Sequence, residues 1–384
     1  MNSEIKFSVL MPTRERAEVL QFSLKTVLSQ NYDNLEIIVC DNNSKDNTKD
    51  VVFSFNDPRI RYINTGKRLP MVENWEFALS FANSDWVTVV GDDDGLMPDS
   101  LQEVNNIVKE TKAEFVRSEA CAYVWPSMNG SNYGKLSLNL ENGYEFRSSK
   151  KWLQKVLHGR EWYTSLPMLY NGGFSKLALI KKIKAVRKKF FLSVAPDLYS
   201  AVIIARSIDR YVYSYLPLAI SGNSKYSTGE SAKKGESSIK DVKFLSADLS
   251  PAAEFLRENV SRGMYYHHAY PQCADGTYPT SYYLAVFDAY IQSLNVIESH
   301  MEFSFFRQLV TILRECYNKK CFMLDQWVDL FVNQHCLNLG KARKYAFLLN
   351  RMDLISSKIH KISKKKSITV CSENLRLTKV DEAS

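Results

Sequence analysis

Three consecutive carboxylates, Asp92, Asp93 and Asp94, follow the run Val87-Thr88-Val89-Val90-Gly91 and precede Gly95. An apolar, β-branched stretch of this length reads as a buried strand. The acids therefore stand at a strand end, beside a glycine that lets the chain turn sharply. Like charges this close repel, and partial burial adds to the cost of ionising them. A hard divalent cation held by Asp oxygens would offset that charge, and where a strand meets such a cluster the usual ligand is a phosphate. The other reading of Asp-Asp-Asp-Gly alone is an acidic, solvated turn without metal.

The surrounding elements favour a site. Residues 5–116 alternate strand-like and helix-like segments: strands at 5–11, 35–40, 59–63, 86–90 and 114–117, helices at 18–30, 47–55, 71–82 and 99–111. This alternation predicts a mostly parallel sheet with helices on both faces. Such sheets bind ligands beyond the carboxyl ends of their strands. Three of those ends are polar: Pro12-Thr13-Arg14-Glu15-Arg16, Asp41-Asn42-Asn43-Ser44 and residues 91–94. Their convergence supports a nucleotide-and-metal site better than any single motif. Arg14, Arg16, Lys67 and Arg68 could offset diphosphate charge, although each reads first as part of a solvated face. Asp46 reads as a helix cap ahead of Asn47-Thr48. His158, His267 and His268 have no ligand-like local pattern.

With 384 residues, 45% hydrophobic and 12% aromatic, the chain can build a large core and is unlike a disordered one. Its seven cysteines are scattered without a CxxC pair, which excludes a zinc ribbon and fits reduced thiols of a cytoplasmic protein. No signal peptide is evident at the N-terminus, and no 18 apolar residues run together. The net charge of +8 is concentrated late: residues 340–366 hold nine Lys or Arg against the single acid Asp353. Over 342–362, Tyr345, Leu348, Leu349, Met352, Ile355 and Ile359 recur at spacings of mostly three or four. That pattern predicts an amphipathic basic helix, either packed on the body or lying on an anionic membrane surface. No nucleic-acid module accompanies the charge, so nucleic acid is not an expected partner.

In order along the chain, these pieces resemble family 2 glycosyltransferases of the GT-A fold. Residues 7–14 (FSVLMPTR) are similar to the family's opening strand and turn, and residues 36–48 (EIIVCDNNSKDNT) to its "VVDDGSxDxT" segment. Asn64, Gly66, Asn74 and Ala78 fall near its "NxGxxxAxN" pattern, residues 91–94 near its DxD motif, and Gly95-Leu96-Met97-Pro98 continues as many members do. The resemblance spans about residues 5–225 and is specific over 5–100. It implies a Rossmann-like, mostly parallel sheet flanked by helices, with nucleotide-sugar binding over about 5–117 and an acceptor part over about 118–225. Apart from the resemblance, residues 221–240, rich in Ser, Gly and Lys, read as a flexible loop over the site or a linker. The domain boundary is set as a flexible loop or linker at 226–245, and apolar-periodic segments beyond about 245 predict a mainly helical region with a basic tail at 246–384.

Carried over residue by residue, the resemblance implies that Asp41 meets the nucleotide base and that Pro12, Thr13, Arg14, Asn74, Asp92 and Asp93 line the donor nucleotide. Asp94 and Asp92 would hold Mn²⁺ or Mg²⁺. The family's catalytic Asp is matched by Asp197 in Ala195-Pro196-Asp197-Leu198, with Pro196 where a Glu is common; a plain helix cap is the other reading. The implied activity is transfer of one sugar, with inversion, from a nucleotide-diphosphate sugar (a UDP-sugar favoured) to a glycan or lipid-linked acceptor in surface polysaccharide assembly. The implied place is the cytoplasm, peripheral on the inner face of the membrane. A catalytically inactive sugar-nucleotide-binding protein, or a membrane- or partner-binding protein acting through its basic tail, is the alternative. A haloacid-type phosphatase is excluded because Met11-Pro12-Thr13 offers no Asp-x-Asp after the first strand. The Gln-x-x-Arg-Trp signature of processive synthases is also missing.

Overall fold

The structure is a computed structural model that describes residues 4–126, 134–139, 141–193, 195–224, 270–271, 281–294, 304–315, 324–360 and 367–371. Its first half alternates as the sequence predicts: β1 (Phe7–Thr13), α1 (Ala17–Leu28), β2 (Leu35–Asp41), α2 (Thr48–Ser54), β3 (Ile60–Asn64), α3 (Met71–Ser80) and β4 (Trp86–Val89). These strands pair in parallel in the order β3-β2-β1-β4. Every residue of β1 and β4 is buried, as strands covered by helices on both faces must be. Their continuous apolar runs follow from that burial.

The second half widens the same sheet. It adds β5 (Gly95–Leu96), α4 (Ser100–Thr111), β6 (Phe115–Val124), β7 (Lys135–Asn139), β8 (Tyr144–Ser148), α5 (Ser149–Leu157), β9 (Gly173–Lys176), α6 (Leu177–Arg187), α7 (Pro196–Ser207) and β10 (Arg210–Asn223). Strand β9 lies antiparallel between β4 and β6, and β10 runs parallel to β6. The sheet is thus parallel through β1 to β4 and mixed beyond them.

Two elements exceed the sequence expectation. The strand expected at 114–117 continues to Val124 because its second half pairs with β10. Ser221-Gly222-Asn223, which read as the start of a flexible stretch over 221–240, are the last residues of β10, with Gly222 opposite Tyr123. Residues 225–240 of that stretch, and the linker expected at 226–245, lie outside the described residues.

Helices cover both sheet faces. One apolar cluster gathers Phe7, Val9, Leu20, Leu24, Ile37 and Val104. The other runs from Leu10, Ile38 and Trp75 through nearly all of α7 into the later helices α8 (Tyr282–Leu294), α9 (Phe305–Glu315), α10 (Leu324–Gln334) and α11 (Leu339–His360). The helical expectation beyond 245 holds for these residues. Trp327 and Phe331 are fully buried and stack at 4.8 Å. Burial of side chains this large stabilises by roughly 2–3 kcal/mol each. A final strand, β11 (Ser367–Cys371), pairs with β7.

Helix α11 packs on the body through Ala342 and Ala346, one turn apart and buried, and through Leu349 of the expected stripe, which is partly buried against the same core. Tyr345 and Leu348 of the expected stripe face outward instead, 48% and 47% exposed, together with Phe347. The side chains of Met352, Ile355 and Ile359 lie outside the described part. Among the described residues, no helix is long and apolar enough to cross a membrane.

Candidate active site

Register brings the strand ends together. Thr13 lies opposite Asp41, Asp41 opposite Asn64, and Leu10 opposite Val89. The chain leaving β4 turns at Gly91. A Cβ there would lie 2.4 Å from Asp94 Oδ2 and 2.8 Å from the Tyr170 hydroxyl, so the packing of the acidic turn demands a glycine.

Each aspartate of the turn is at least nine-tenths buried and meets different donors. Asp92 accepts from Thr13 Oγ1 at 2.9 Å and from Arg16 Nη1 at 2.8 Å. Asp93 accepts from Ser224 Oγ at 2.6 Å, while its carbonyl takes the Trp125 indole N–H at 2.9 Å. Asp94 accepts from the Tyr170 hydroxyl, from the Gly222 N–H at 2.8 Å and from Asn171 Nδ2 at 3.4 Å. Gly222 has no room for a side chain: a Cβ would stand 1.7 Å from the Asp93 carbonyl oxygen. This is the reason for Ser-Gly at the end of β10.

Arg16 is the correction to a solvated-face reading. Burial opposes its charge, but Asp92 and Asp93 hold the guanidinium firmly protonated and its pKa rises. The offsetting positive charge expected for the acidic turn is therefore partly built into the chain. Among the described residues, the hydrogen bonds to the Asp93 and Asp94 carboxylates come from neutral donors. Burial followed by carboxylate repulsion pushes both upward, although the charge of Arg16 acts against this at Asp93.

The segment 164–171 supplies the far wall. Arg117, buried in β6, donates to the carbonyls of Thr164, Tyr170 and Asn171 at 2.9, 3.1 and 2.7 Å. Burial draws its pKa down to about 10, so it stays charged at neutral pH. Its three bonds fix the loop that carries Tyr170 and Asn171. Burial, then Asp94, holds the Tyr170 hydroxyl well above its ordinary value, so it remains a donor.

Asp197 stands in the first turn of α7 and accepts from the Tyr163 hydroxyl at 3.1 Å. Burial pushes its carboxyl up, against hydrogen bonds that favour the charged form. Its charge also acts on Tyr170. Tyr170, bonded to Asp94, thus stands within electrostatic reach of Asp93 and Asp197 as well.

The remaining predicted residues lie at or near the ends of β1 and β2 and on α3. Asp41 Oδ2 accepts from Tyr62 at 2.6 Å and Asn64 at 3.1 Å, and its Oδ1 takes the Ser44 N–H at 2.9 Å. It therefore organises its own turn as well as standing at the strand end. Pro12 and Thr13 are buried at the end of β1, and Arg14 is partly exposed. Asn74 points its Oδ1 at the Cys40 thiol, 3.2 Å away beneath β2. Asp46 has the expected capping role twice over, accepting from the N–H groups of Ala17 and Thr48. His158 ends α5 as an ordinary helix C-cap; His267 and His268 lie outside the described residues.

A divalent cation fits this donor set in charge and chemistry. No three His, Cys, Asp or Glu side chains form a ready cage among the described residues. Mg²⁺ and Mn²⁺, however, are commonly held by one or two carboxylates together with substrate phosphates. The pair Asp93 and Asp94, pushed upward by burial and by carboxylate repulsion despite Arg16 beside Asp93, marks where further positive charge would be favourable.

The sequence profile described as "Glycosyl transferase family 2" matches residues 8–164. Among curated relatives, the GalNAc(5)-diNAcBac-PP-undecaprenol beta-1,3-glucosyltransferase of Campylobacter jejuni is 37% identical over 99 residues, 25% of this chain and 32% of that protein. The Escherichia coli UDP-Glc:alpha-D-GlcNAc-diphosphoundecaprenol beta-1,3-glucosyltransferase WfgD is 27% identical over 109 residues, 28% of this chain and 43% of that protein. The matched part thus spans between a third and somewhat under half the length of these relatives. A solved structure of S. aureus TarS 1–349 aligns over 94% of this chain and 93% of its own, at 15% identity and a TM-score of 0.45. The strand-end carboxylates, their order along the chain and the profile match agree: residues 8–164 of the chain are similar to glycosyl transferase family 2.

Proposed function

We propose that the protein transfers one sugar, with inversion, from a UDP-sugar to a lipid-linked glycan acceptor. The observation that carries this reading is the buried acidic turn at the end of β4, held by Thr13, Arg16, Tyr170 and Gly222 beside the ends of β1 and β2. Pro12, Thr13, Arg14, Asp41 and Asn74 line the nucleotide, with Asp92 and Asp93 toward its ribose and phosphates. Asp94 and Asp92 would hold Mn²⁺ or Mg²⁺, which when bound would neutralise charge on the departing diphosphate. The Asp197 carboxylate takes the proton of the acceptor hydroxyl as that oxygen bonds to the anomeric carbon. The bond to the diphosphate breaks on the opposite face, and its electron pair leaves with the diphosphate. The names of the C. jejuni and E. coli relatives, both glucosyltransferases acting on undecaprenol-linked glycans, support the acceptor class and a place in surface polysaccharide assembly.

Ligand-dependent melting tests this directly, since a ligand bound only by the folded state adds about 2.7 kcal/mol at a hundred times its Kd. UDP with Mn²⁺ or Mg²⁺ raises the melting temperature by several degrees, GDP does so less, and a UDP-sugar is slowly hydrolysed. Failure of every nucleotide to stabilise the protein refutes the proposal. Stabilisation without hydrolysis or transfer makes it an inactive sugar-nucleotide binder.

A lipid-linked acceptor requires approach to a bilayer, and the outer face of α11 is suited to one. Tyr345, Phe347 and Leu348 are exposed there, on the helix that also carries Lys341, Arg343, Lys344 and Arg351. Because Ala342 and Ala346 are buried, deleting the helix would uncover the core; charge reversal is the cleaner test. Each basic residue near an anionic surface contributes about 1 kcal/mol, and salt screens it. Lys341→Glu, Lys344→Glu and Arg351→Glu together should lower co-sedimentation with anionic vesicles about a hundredfold. Equal partitioning of the native protein to neutral and anionic vesicles, or none to either, rules the surface out.

A further inference from the structure

Beside the Asp197 cleft stands an aromatic side chain that the transfer chemistry above leaves unused. Trp162 is 40% exposed although three tyrosines hold it: Tyr163 at 5.7 Å, Tyr282 at 5.1 Å and Tyr283 at 5.9 Å between ring centroids. Its neighbour Tyr163 is the residue that donates to Asp197, and Tyr282 lies close enough to act on the Tyr163 hydroxyl. The tyrosines from α8 are themselves fixed. Glu315 of α9 accepts from the Tyr282 and Tyr283 N–H groups at 3.1 and 3.3 Å and from Ser281 Oγ at 2.7 Å. A scattered exposed aromatic is ordinary. An indole braced by three rings and two helices, one residue from the partner of the candidate base, is placed to bind something.

We propose that Trp162 is the stacking platform for the acceptor sugar, taking a pyranose ring of the glycan on its open surface and presenting a hydroxyl to Asp197. This inference rests on the glycosyltransferase reading and adds the acceptor subsite to it. A pyranose has one face lined with C–H groups, and that face packs on the electron-rich face of an indole while the hydroxyls stay hydrogen-bonded at the rim. It also gives the C-terminal helices a part in the reaction, since α8 and α9 position the platform rather than the donor.

The test uses the full chain labelled with fluorotryptophan, read by fluorine NMR with UDP present, and the methyl glycosides of glucose, galactose, N-acetylglucosamine and N-acetylgalactosamine as probes. The resonance that disappears in Trp162→Phe should shift and saturate with at least one glycoside. On a short-chain lipid diphosphate carrying N-acetylglucosamine, Trp162→Ala should raise the acceptor KM about tenfold or more. Trp162→Phe should fall between, with stabilisation by UDP and donor hydrolysis unchanged. If UDP stabilises the protein and no glycoside moves that resonance, the platform is refuted while the donor site stands. A shift with lipid vesicles and with no glycoside also overturns it, making Trp162 a lipid contact. If UDP does not bind at all, the glycosyltransferase reading falls and the platform with it.

Discussion

Replacing Asp94 by Asn should lower turnover about a hundredfold or more, while the protein stays folded and loses its Mn²⁺-dependent stabilisation by UDP. The site explains both halves of that result. Asp94 is the carboxylate at the centre of the cleft, bonded to Tyr170, Asn171 and Gly222 and pushed upward by burial and by Asp93. Asn keeps the shape and one carbonyl oxygen for the Gly222 N–H, and its amide can face the Tyr170 hydroxyl, which can turn to accept. It removes only the charge, and removing one of three crowded carboxylates relieves repulsion in the free protein. Thermal unfolding should therefore be no lower than for the native chain. Asp94→Ala, by contrast, strands the Gly222 N–H and the Tyr170 hydroxyl, at about 1–3 kcal/mol for each unsatisfied group. The comparison separates a functional charge from a structural acceptor. An Asn variant with native turnover and native stabilisation by UDP and Mn²⁺ would remove Asp94 from the donor site.

What the sequence made legible is what local patterns encode. The ends of β1, β2 and β4 could be read because continuous apolar runs stop at Pro12, Asp41 and Gly91, and parallel topology then places those ends side by side. Asp46 was readable as a cap because capping is a matter of neighbouring residues. The walls of the cleft were not readable in this way. Gly222 and Ser224 reach the acidic turn across 128 and 131 residues of chain, through the pairing of β10 with β6, and their Ser-Gly composition mimics a loop. Tyr170 and Asn171 sit on a segment held by Arg117 from another strand, with no periodicity of its own. Arg16 follows an exposed glutamate and looks solvated until the fold turns its guanidinium onto Asp92. In α11 the packed face is made by Ala342 and Ala346, too small to register as an apolar stripe, together with Leu339 and with Leu349 of the expected stripe.

The second large effect is expected at Asp197. Asp197→Asn should leave donor binding and the melting temperature nearly unchanged and lower transfer by about a hundredfold or more. The substitution is chosen because the carboxylate has two structural duties besides any chemical one. It sits in the first turn of α7, where an acidic side chain favours the helix, and it accepts from Tyr163. Because Asp197 lies inside the first turn, after the N-cap Ala195, Asn forfeits a dipole contribution of only about 0.3–1 kcal/mol and still offers an oxygen to the tyrosine, so what it chiefly loses is basicity. The pH profile gives an independent check. A base works when deprotonated, so the rate rises as pH passes upward through its pKa. Burial holds the Asp197 carboxyl above the ordinary range, so the acidic limb of kcat should lie at higher pH than for a solvated aspartate. The Tyr163 hydroxyl donates to the charged form and lowers that pKa. Tyr163→Phe should therefore move the limb further toward alkaline pH, while the rate on the alkaline plateau changes much less. If Asp197→Asn keeps native transfer but melts earlier, or if the limb stays where it is in Tyr163→Phe, Asp197 is a helix-start residue and the base must be sought elsewhere in the cleft.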